Sequence, residues 1–187
     1  MRIISGLGAI AMPFALAAQS PASTPQSTPA PTPPAAAVSG PAWRVACPPA
    51  TAGAAAPPPC SLVQNLVAGE QQQRLLTVIL QRGAAGSYAM TIALPHGVLF
   101  PAGVTVQIDE GATHPLVVQT SDQNGAYTGM PVDAAMVAAL RGGTSMKVSF
   151  TAGNGQRILV PVTLRDFGAG VVELDRHPVP APAAASN

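Results

Sequence analysis

The chain has 187 residues, of which only 9% are charged, and it carries 21 prolines and 18 glycines. A typical soluble domain has about a quarter of its residues charged, and low charge with this much proline and glycine argues against a helical bundle. The formal net charge is +1 and there is a single lysine, Lys147. Nucleic-acid binding is therefore not expected, because no basic stripe can neutralise a run of phosphates.

The N-terminus has the three parts of a secretory signal peptide. The first two residues, Met-Arg, supply a short positive region, and an apolar stretch follows at 3–15. Ala15-Leu16-Ala17 then matches the small-residue pattern of a cleavage site. The apolar stretch is shorter than the roughly twenty residues that a retained membrane anchor needs. We predict a signal peptide at residues 1–18, cleavage near Ala17, no transmembrane segment in the mature chain, and a periplasmic or secreted protein.

Two segments that flank the central part have the composition of linkers. Residues 19–42 are rich in Pro, Ala, Ser and Thr and carry no charge, and residues 177–187 have a similar composition. Neither segment shows apolar periodicity, and the prolines favour extended polyproline II. We predict a disordered linker at 19–42, one folded domain at 43–176 and a disordered tail at 177–187.

Cys47 and Cys60 are the only cysteines, and we expect them to form a disulfide. An exported chain meets an oxidising compartment, and closing the loop between them stabilises the fold by about 3 kcal/mol in the chain-entropy account. Two unpaired, buried thiols are the alternative. We predict no metal site and no cofactor, because two cysteines and three histidines far apart in sequence do not supply a zinc ligand set.

The central domain has the pattern of an antiparallel β protein. Short runs of aliphatic and β-branched residues recur between Gly, Pro and Asn turn signals. The predicted strands are 43–47, 61–67, 74–81, 88–94, 104–109, 115–120, 146–151, 156–161, 162–164 and 171–174. The nearly continuous apolar run from Leu75 to Leu80 indicates a strand covered on both faces, and Gly153-Asn154-Gly155 is a strong hairpin signal.

The segment from Ala93 to Asp109 fixes the register of this β domain. Pro95-His96-Gly97 and Pro101-Ala102-Gly103 are turn signals, since Pro presets φ and Gly supplies positive φ. The strand that follows at 104–109 alternates strictly between apolar and polar residues, so its apolar side chains share one face.

One segment breaks the strand pattern and predicts a short helix. Asp133 can cap it, apolar residues recur on one face, and Gly142 ends it. With about ten strands, the predicted fold class is all-β: an antiparallel β-sandwich, jelly-roll-like or partly barrel-like, with one short α-helix. Trp43 is expected to close one end of the core, and Phe167 to anchor the last strand.

The sequence carries no catalytic signature, so we predict that the protein is not an enzyme. It has no nucleophile elbow, phosphate-binding loop, zinc-protease motif or dinucleotide fingerprint. His96 and His114 lie at turns and are expected to be exposed. Asp109 and Glu110 are adjacent at a strand end, which favours a solvated turn over an acid–base pair on one cleft. A hydrolase with an unrecognised site is the remaining enzymatic alternative.

Several short motifs occur in a fixed order along the domain. They are Trp43–Cys47, Leu94–Leu99, Pro101–Val104, Ile108–Gly111, Gly142–Gly143, Ile158–Leu164 and Asp166–Gly168. In order and spacing this set resembles the invasion-associated locus B (IalB-like) family of Gram-negative bacteria over essentially all of residues 43–174. The resemblance implies a small secreted or periplasmic β domain linked to host-cell invasion, with no catalytic residues or cofactor to carry over.

One departure from the family pattern concerns cysteines. Family members usually carry a second cysteine pair in the pattern Cys-x-x-x-Gly-Cys. In this chain Ser121 and Ala126 stand in place of the two cysteines, whereas Gly125 is retained. The resemblance therefore implies that this chain lacks one of the family's bridges and that this loop has no redox role.

Beside the hydrolase alternative, two non-enzymatic functions stay open. The first is a non-enzymatic envelope or secreted protein of the invasion-associated locus B type, a protein-interaction module that binds an envelope or host-surface protein. Its candidate interaction loop is 122–129, with Asp122, Asn124 and Tyr127 as contact residues. The alternative is a periplasmic small-ligand or carbohydrate-binding β-sandwich, for which an aromatic content of 4% offers few rings to stack on sugars.

Overall fold

The computed structural model describes residues 42–49, 58–83 and 86–179. The predicted signal peptide (1–18), nearly all of the predicted linker (19–42) and residues 180–187 of the predicted tail lie outside the described residues. The strands are β1 (Arg44–Ala46), β2 (Ser61–Ala68), β3 (Gln73–Arg82), β4 (Tyr88–Leu94), β5 (Val104–Ile108), β6 (Thr113–Leu116), β7 (Thr120–Asp122), β8 (Gly125–Val132), β9 (Ser145–Thr151) and β10 (Arg157–Thr163). The helices are α1 (Ala134–Gly142) and α2 (Phe167–Asp175), and a 3-10 turn covers Phe100–Ala102.

The strands form two antiparallel sheets that share one core. The larger sheet has the order β1-β2-β3-β4-β8-β7, and the smaller has the order β10-β9-β5-β6. The chain passes between the sheets after β4, after β6 and, through α1, after β8. The predicted β-sandwich is confirmed, whereas the barrel-like alternative is not observed, because neither sheet closes on itself within the described residues.

The core consists of aliphatic side chains from the inner faces of both sheets. Leu62, Leu80 and Met90 lie side by side across β2, β3 and β4, and none is more than 1% exposed. From the smaller sheet, Val104 and Val106 are equally buried, which confirms the face predicted for that strand. Burying one such side chain contributes roughly 1.5–3 kcal/mol, so the alternation along each strand determines which face is turned inward.

Trp43 closes one end of the core, as predicted. Its side chain is 2% exposed, and its indole Nε1 donates a hydrogen bond to the carbonyl oxygen of Thr163 at 2.8 Å. The indole meets the ring of Phe167 edge to face, with ring centroids 5.1 Å apart. A buried indole needs both an apolar neighbour and a partner for its N–H, and the start of α2 and the end of β10 supply them.

The strand predicted at 171–174 is wrong, because these residues belong to α2. Phe167, Val171 and Leu174 are buried, and their spacing of four and three residues places them on one face of a helix. The described residues therefore contain two helices rather than one. Phe167 is a core residue as predicted, but it anchors a helix instead of a strand.

Three other predicted boundaries differ from the structure, and the first is that the strands predicted separately at 156–161 and 162–164 form one strand, β10. The strand predicted at 115–120 is split into β6 and β7, and part of the predicted loop at 122–129 is strand β8. The sequence of β8 contains two glycines and a proline, which weaken the strand pattern. By contrast, α1 begins and ends where predicted: the amide of Met136 donates to Asp133 Oδ1 at 2.7 Å, and the helix ends at Gly142.

The predicted disulfide between Cys47 and Cys60 is confirmed. Cys47 follows β1 and Cys60 precedes β2, and these strands pair from Arg44↔Val63 to Ala46↔Ser61. The bridge therefore lies at the end of a strand pair that already holds the two cysteines side by side. Among the described residues, no helix has the length and apolarity that a membrane span requires.

Candidate interaction site

The three predicted contact residues lie on one hairpin at the edge of the larger sheet. In this β7–β8 hairpin, residues 120–127, Thr120 pairs with Tyr127 and Asp122 with Gly125, which leaves Gln123 and Asn124 as the turn. Residues 120–124 are exposed. Asp122 and Asn124 are thus at the tip, whereas Tyr127 lies within β8 rather than in an open loop.

The carboxylate of Asp122 holds the hairpin tip together. Its Oδ1 accepts a hydrogen bond from the backbone amide of Asn124 at 2.7 Å and one from the hydroxyl of Tyr127 at 3.0 Å. The Asn124 amide, ahead of the Tyr127 hydroxyl, lowers the pKa of Asp122. Burial, and then the hydrogen bond to Asp122, raise the pKa of Tyr127. The Tyr127 ring is therefore fixed against the tip by its own hydroxyl group.

Side chains from two other segments fix the turn itself. The guanidinium of Arg74, at the start of β3, donates to the carbonyl oxygen of Asn124. Nε2 of His96, in the turn after β4, donates to the carbonyl oxygen of Gln123 at 3.0 Å. A turn held at both residues loses little conformational freedom when it binds a partner. His96 is exposed as predicted, but its part in the hairpin, like that of Arg74, was not predicted.

We expect the Asp122 carboxyl group to titrate below its ordinary value of 3.8. Because the folded-state pKa is lowered, the contribution of Asp122 to stability is present above pH 3.8 and is lost as the pH falls through the folded-state pKa. Side-chain carbon NMR over this range measures the effect directly. Tyr127→Phe should raise the pKa of Asp122 only in part, because the Asn124 amide stays in place. A pKa of Asp122 at or above 3.8 in the folded protein would contradict these hydrogen bonds.

Ser121 and Ala126 are directly opposite each other in the β7–β8 hairpin. Residues in this relation have Cα atoms about 4.5–5.5 Å apart, which lies within the range that a disulfide spans. Cysteines at these two positions would therefore be placed to form a cross-strand bridge.

The double variant Ser121→Cys/Ala126→Cys should consequently form a second disulfide. For so short a loop we expect a gain of about 2 kcal/mol in the free energy of unfolding, visible as a higher melting temperature that reductant abolishes. Intact mass after alkylation counts the free thiols, and Ser121→Cys alone serves as the control. Two alkylatable thiols after mild oxidation would show that Ser121 and Ala126 do not face each other across the hairpin.

The carboxylates of Asp109 and Glu110 have different partners. The Asp109 carboxylate accepts backbone amide hydrogen bonds from Ser145 at 2.9 Å and Thr144 at 3.1 Å, and the Ser145 amide is the main cause of its lowered pKa. Glu110 Oε1 lies 2.5 Å from Lys147 Nζ. The predicted solvated turn describes Glu110, whose side chain is 87% exposed, whereas Asp109 ties the end of β5 to the start of β9.

An open groove of about 510 Å³ lies between α1 and the turn after β5. Its residues include Ile108, Met136 and His114, together with the carboxylates of Asp109 and Asp133. Both carboxylates accept backbone amides, so they hold the chain in place. Among the described residues that line this groove there is no Phe, Tyr or Trp, the side chains on which sugar rings usually stack.

The fold and its ordered motifs coincide with a known protein family. Residues 43–175 match the family model described as "Invasion associated locus B (IalB) protein". The chain belongs to this family. It is 30% identical over 113 residues to an Invasion protein B homolog of Brucella abortus (strain 2308) and to another of Brucella abortus biovar 1 (strain 9-941). Each match covers 60% of this chain and 65% of the relative.

A protein with a solved structure shares the architecture. The crystal structure of invasion associated protein b from Bartonella henselae superposes with a TM-score of 0.63 at 22% sequence identity. The superposition covers 74% of this chain and 94% of that chain. The two-sheet sandwich is thus common to both proteins.

Proposed function

We propose that this family member is exported to the periplasm or the medium, where it acts without catalysis as a module that binds an envelope or host-surface protein. The observation that carries the proposal is the exposed tip of the β7–β8 hairpin, whose turn is fixed by Arg74 and His96. The Cys47–Cys60 disulfide suits an oxidising compartment. The Brucella relatives, which this chain matches over 65% of their length, carry the name Invasion protein B homolog.

The contact surface would be the tip of the hairpin and the ring of Tyr127. A tyrosine side chain supplies a large, rigid contact at low entropic cost, and its hydrogen bond to Asp122 already sets its orientation. Binding hot spots are typically such ordered aromatic residues. The tip adds polar groups at Gln123 and Asn124 that give the contact its specificity.

Cell fractionation with intact-mass analysis tests the export part of this proposal. We expect the protein in the periplasm or the medium, cleaved near Ala17 and lighter by two hydrogens than its reduced form. Uncleaved protein in the cytoplasm with two free thiols would contradict export. A binding partner found afterwards should lose affinity for Tyr127→Ala and keep it for Asn154→Ala, a change in the exposed turn between β9 and β10.

Carbohydrate binding, the alternative function, requires a different kind of site. It needs a ring beside polar groups, and at the proposed site the half-buried ring of Tyr127 lies on the same hairpin as the exposed residues Gln123 and Asn124. A panel of neutral and acidic glycans that raises the melting temperature, with loss of the shift in Tyr127→Ala, would favour this function over protein binding.

A further inference from the structure

The C-terminal end of α2 brings a histidine to the disulfide. His177 Nδ1 lies 3.8 Å from Cys47 Sγ, although the two residues are 130 positions apart in the chain. The ligand atoms of Cys47, Cys60 and His177 all lie within 4.8 Å of one another. From the sequence, no metal site was predicted because the histidines lie far from the cysteines along the chain. The fold nevertheless places His177 beside Cys47.

Contacts that do not involve the disulfide hold His177 in place. Its backbone amide donates to the carbonyl oxygen of Leu174 at 3.1 Å. Arg82 Nη1 donates to the carbonyl oxygens of Asp175 at 3.0 Å and His177 at 3.3 Å. The Asp175 carboxylate in turn accepts the hydroxyl of Tyr88 at 2.6 Å. The end of α2 is therefore tied to β3 and β4 whether or not the two sulfurs are bonded.

The cysteines are likewise held side by side without their bond. They continue from β1 and lead into β2, whose pairing places Ala46 opposite Ser61. Cys47 is exposed and Cys60 is half-buried, so an ion can reach both sulfurs. Reduction would thus leave two thiols and an imidazole close together at the surface.

The second nitrogen of His177 also has a suitable neighbour. Nε2 lies 3.8 Å from Glu173 Oε1, one turn back on α2. In protein metal sites a carboxylate behind the histidine commonly accepts the other ring N–H, which leaves the facing nitrogen unprotonated. At 3.8 Å the Glu173 carboxylate is beyond hydrogen-bond distance, and a small side-chain movement on metal binding would let it accept the Nε2 proton and leave Nδ1 free for the metal.

We propose that the dithiol form of this chain binds one zinc ion through Cys47 Sγ, Cys60 Sγ and His177 Nδ1. Thiolate and imidazole are zinc's preferred ligands, with Zn–S of about 2.3 Å and Zn–N of about 2.0–2.1 Å. A tetrahedral site with these bonds separates sulfur from nitrogen by roughly 3.6 Å, close to the 3.8 Å between Cys47 and His177. A water molecule completes the four ligands.

Zinc and the disulfide are alternatives at the same two sulfurs. Bonded sulfurs are not thiolates and do not hold zinc, so the site exists before the bond forms or after it is reduced. When a phosphine reduces the bond, two electrons pass from phosphorus to the sulfurs and the S–S bond breaks. The oxygen of one water molecule goes to phosphorus and its two protons go to the sulfurs. Zinc binding then releases these two protons.

Cobalt(II) titration of the phosphine-reduced, full-length chain tests the proposal, since thiolate-to-cobalt absorption bands report the ligands. We expect one cobalt ion per chain, displaced by one zinc ion, and no thiolate band for the oxidised chain. His177→Ala should lower the affinity about ten-fold or more, and Glu173→Gln should lower it less. His114→Ala is the matched control and should bind like the unmodified chain.

The absence of a thiolate band in the reduced chain, or equal affinity for His177→Ala and His114→Ala, would overturn the proposal. Near-UV circular dichroism of Trp43 in the same samples reports whether the fold survives reduction. Cys47→Ser/Cys60→Ser keeps His177 without the bridge and should bind no metal. If the reduced chain loses its native signal and the metal does not restore it, the site is likewise disproved.

Discussion

Gly125→Ala should be among the most destabilising single substitutions in this chain, with a loss of about 3–5 kcal/mol. Gly125 has φ of 140°, a region that residues with a Cβ rarely adopt. A Cβ at this position would lie 2.1 Å from the carbonyl oxygen of Leu94. Because the obstacle is the backbone of β4, a change of rotamer cannot relieve the clash. Urea unfolding followed by the fluorescence of Trp43, the only tryptophan, measures the loss.

Gly155→Ala is the matched control for this prediction. Gly155 also has positive φ, 84°, but a Cβ there would have no neighbour within 4 Å. We expect a loss of about 1 kcal/mol from backbone strain alone. Equal losses for the two variants would show that the close approach of β8 to β4 is not what requires Gly125.

Phe167→Ala should destabilise the protein by about 3–5 kcal/mol. The ring is fully buried and packs edge to face on Trp43, so its removal leaves a cavity at the end of the core and frees the start of α2. The same urea titration measures the loss, and the Trp43 emission of the folded variant should move to longer wavelength as water reaches the indole.

Phe100→Ala provides the control for ring removal. Phe100 is 46% exposed, and we expect its loss to change the free energy of unfolding by about 0.5 kcal/mol or less. If Phe167→Ala were as mild as Phe100→Ala, the closed end of the core would not depend on the aromatic pair.

Local sequence patterns predicted the parts of the fold that local physics determines. The alternation at 104–109 identified a strand and its inner face, and Asp133 with Gly142 bounded α1. The end of the domain was not predicted, because the apolar spacing of 167–174 fits a helix while its valines suggest a strand. Strand β8 was not predicted because its own sequence is a weak strand former. It is a strand because it pairs with β4, a contact that the local sequence does not reveal.

In the candidate site too, contacts between residues close in sequence were predicted, and contacts between distant residues were not. Asp122, Asn124 and Tyr127 were found together because their contacts lie within five residues of each other. The roles of Arg74 and His96 depend on contacts across 50 and 27 residues. Such contacts follow from sheet order and helix placement, which no local pattern in a single sequence specifies.

We propose that the β7–β8 hairpin contacts a partner outside the cytoplasm. A photo-crosslinking amino acid placed at position 123 tests this contact most directly. The matched control carries the same amino acid at position 154, in the exposed turn between β9 and β10. We expect a discrete, saturable adduct in the envelope or host-surface fraction from position 123, lost with Tyr127→Ala, and none from position 154. No adduct from position 123, or the same adducts from both positions, would contradict the account.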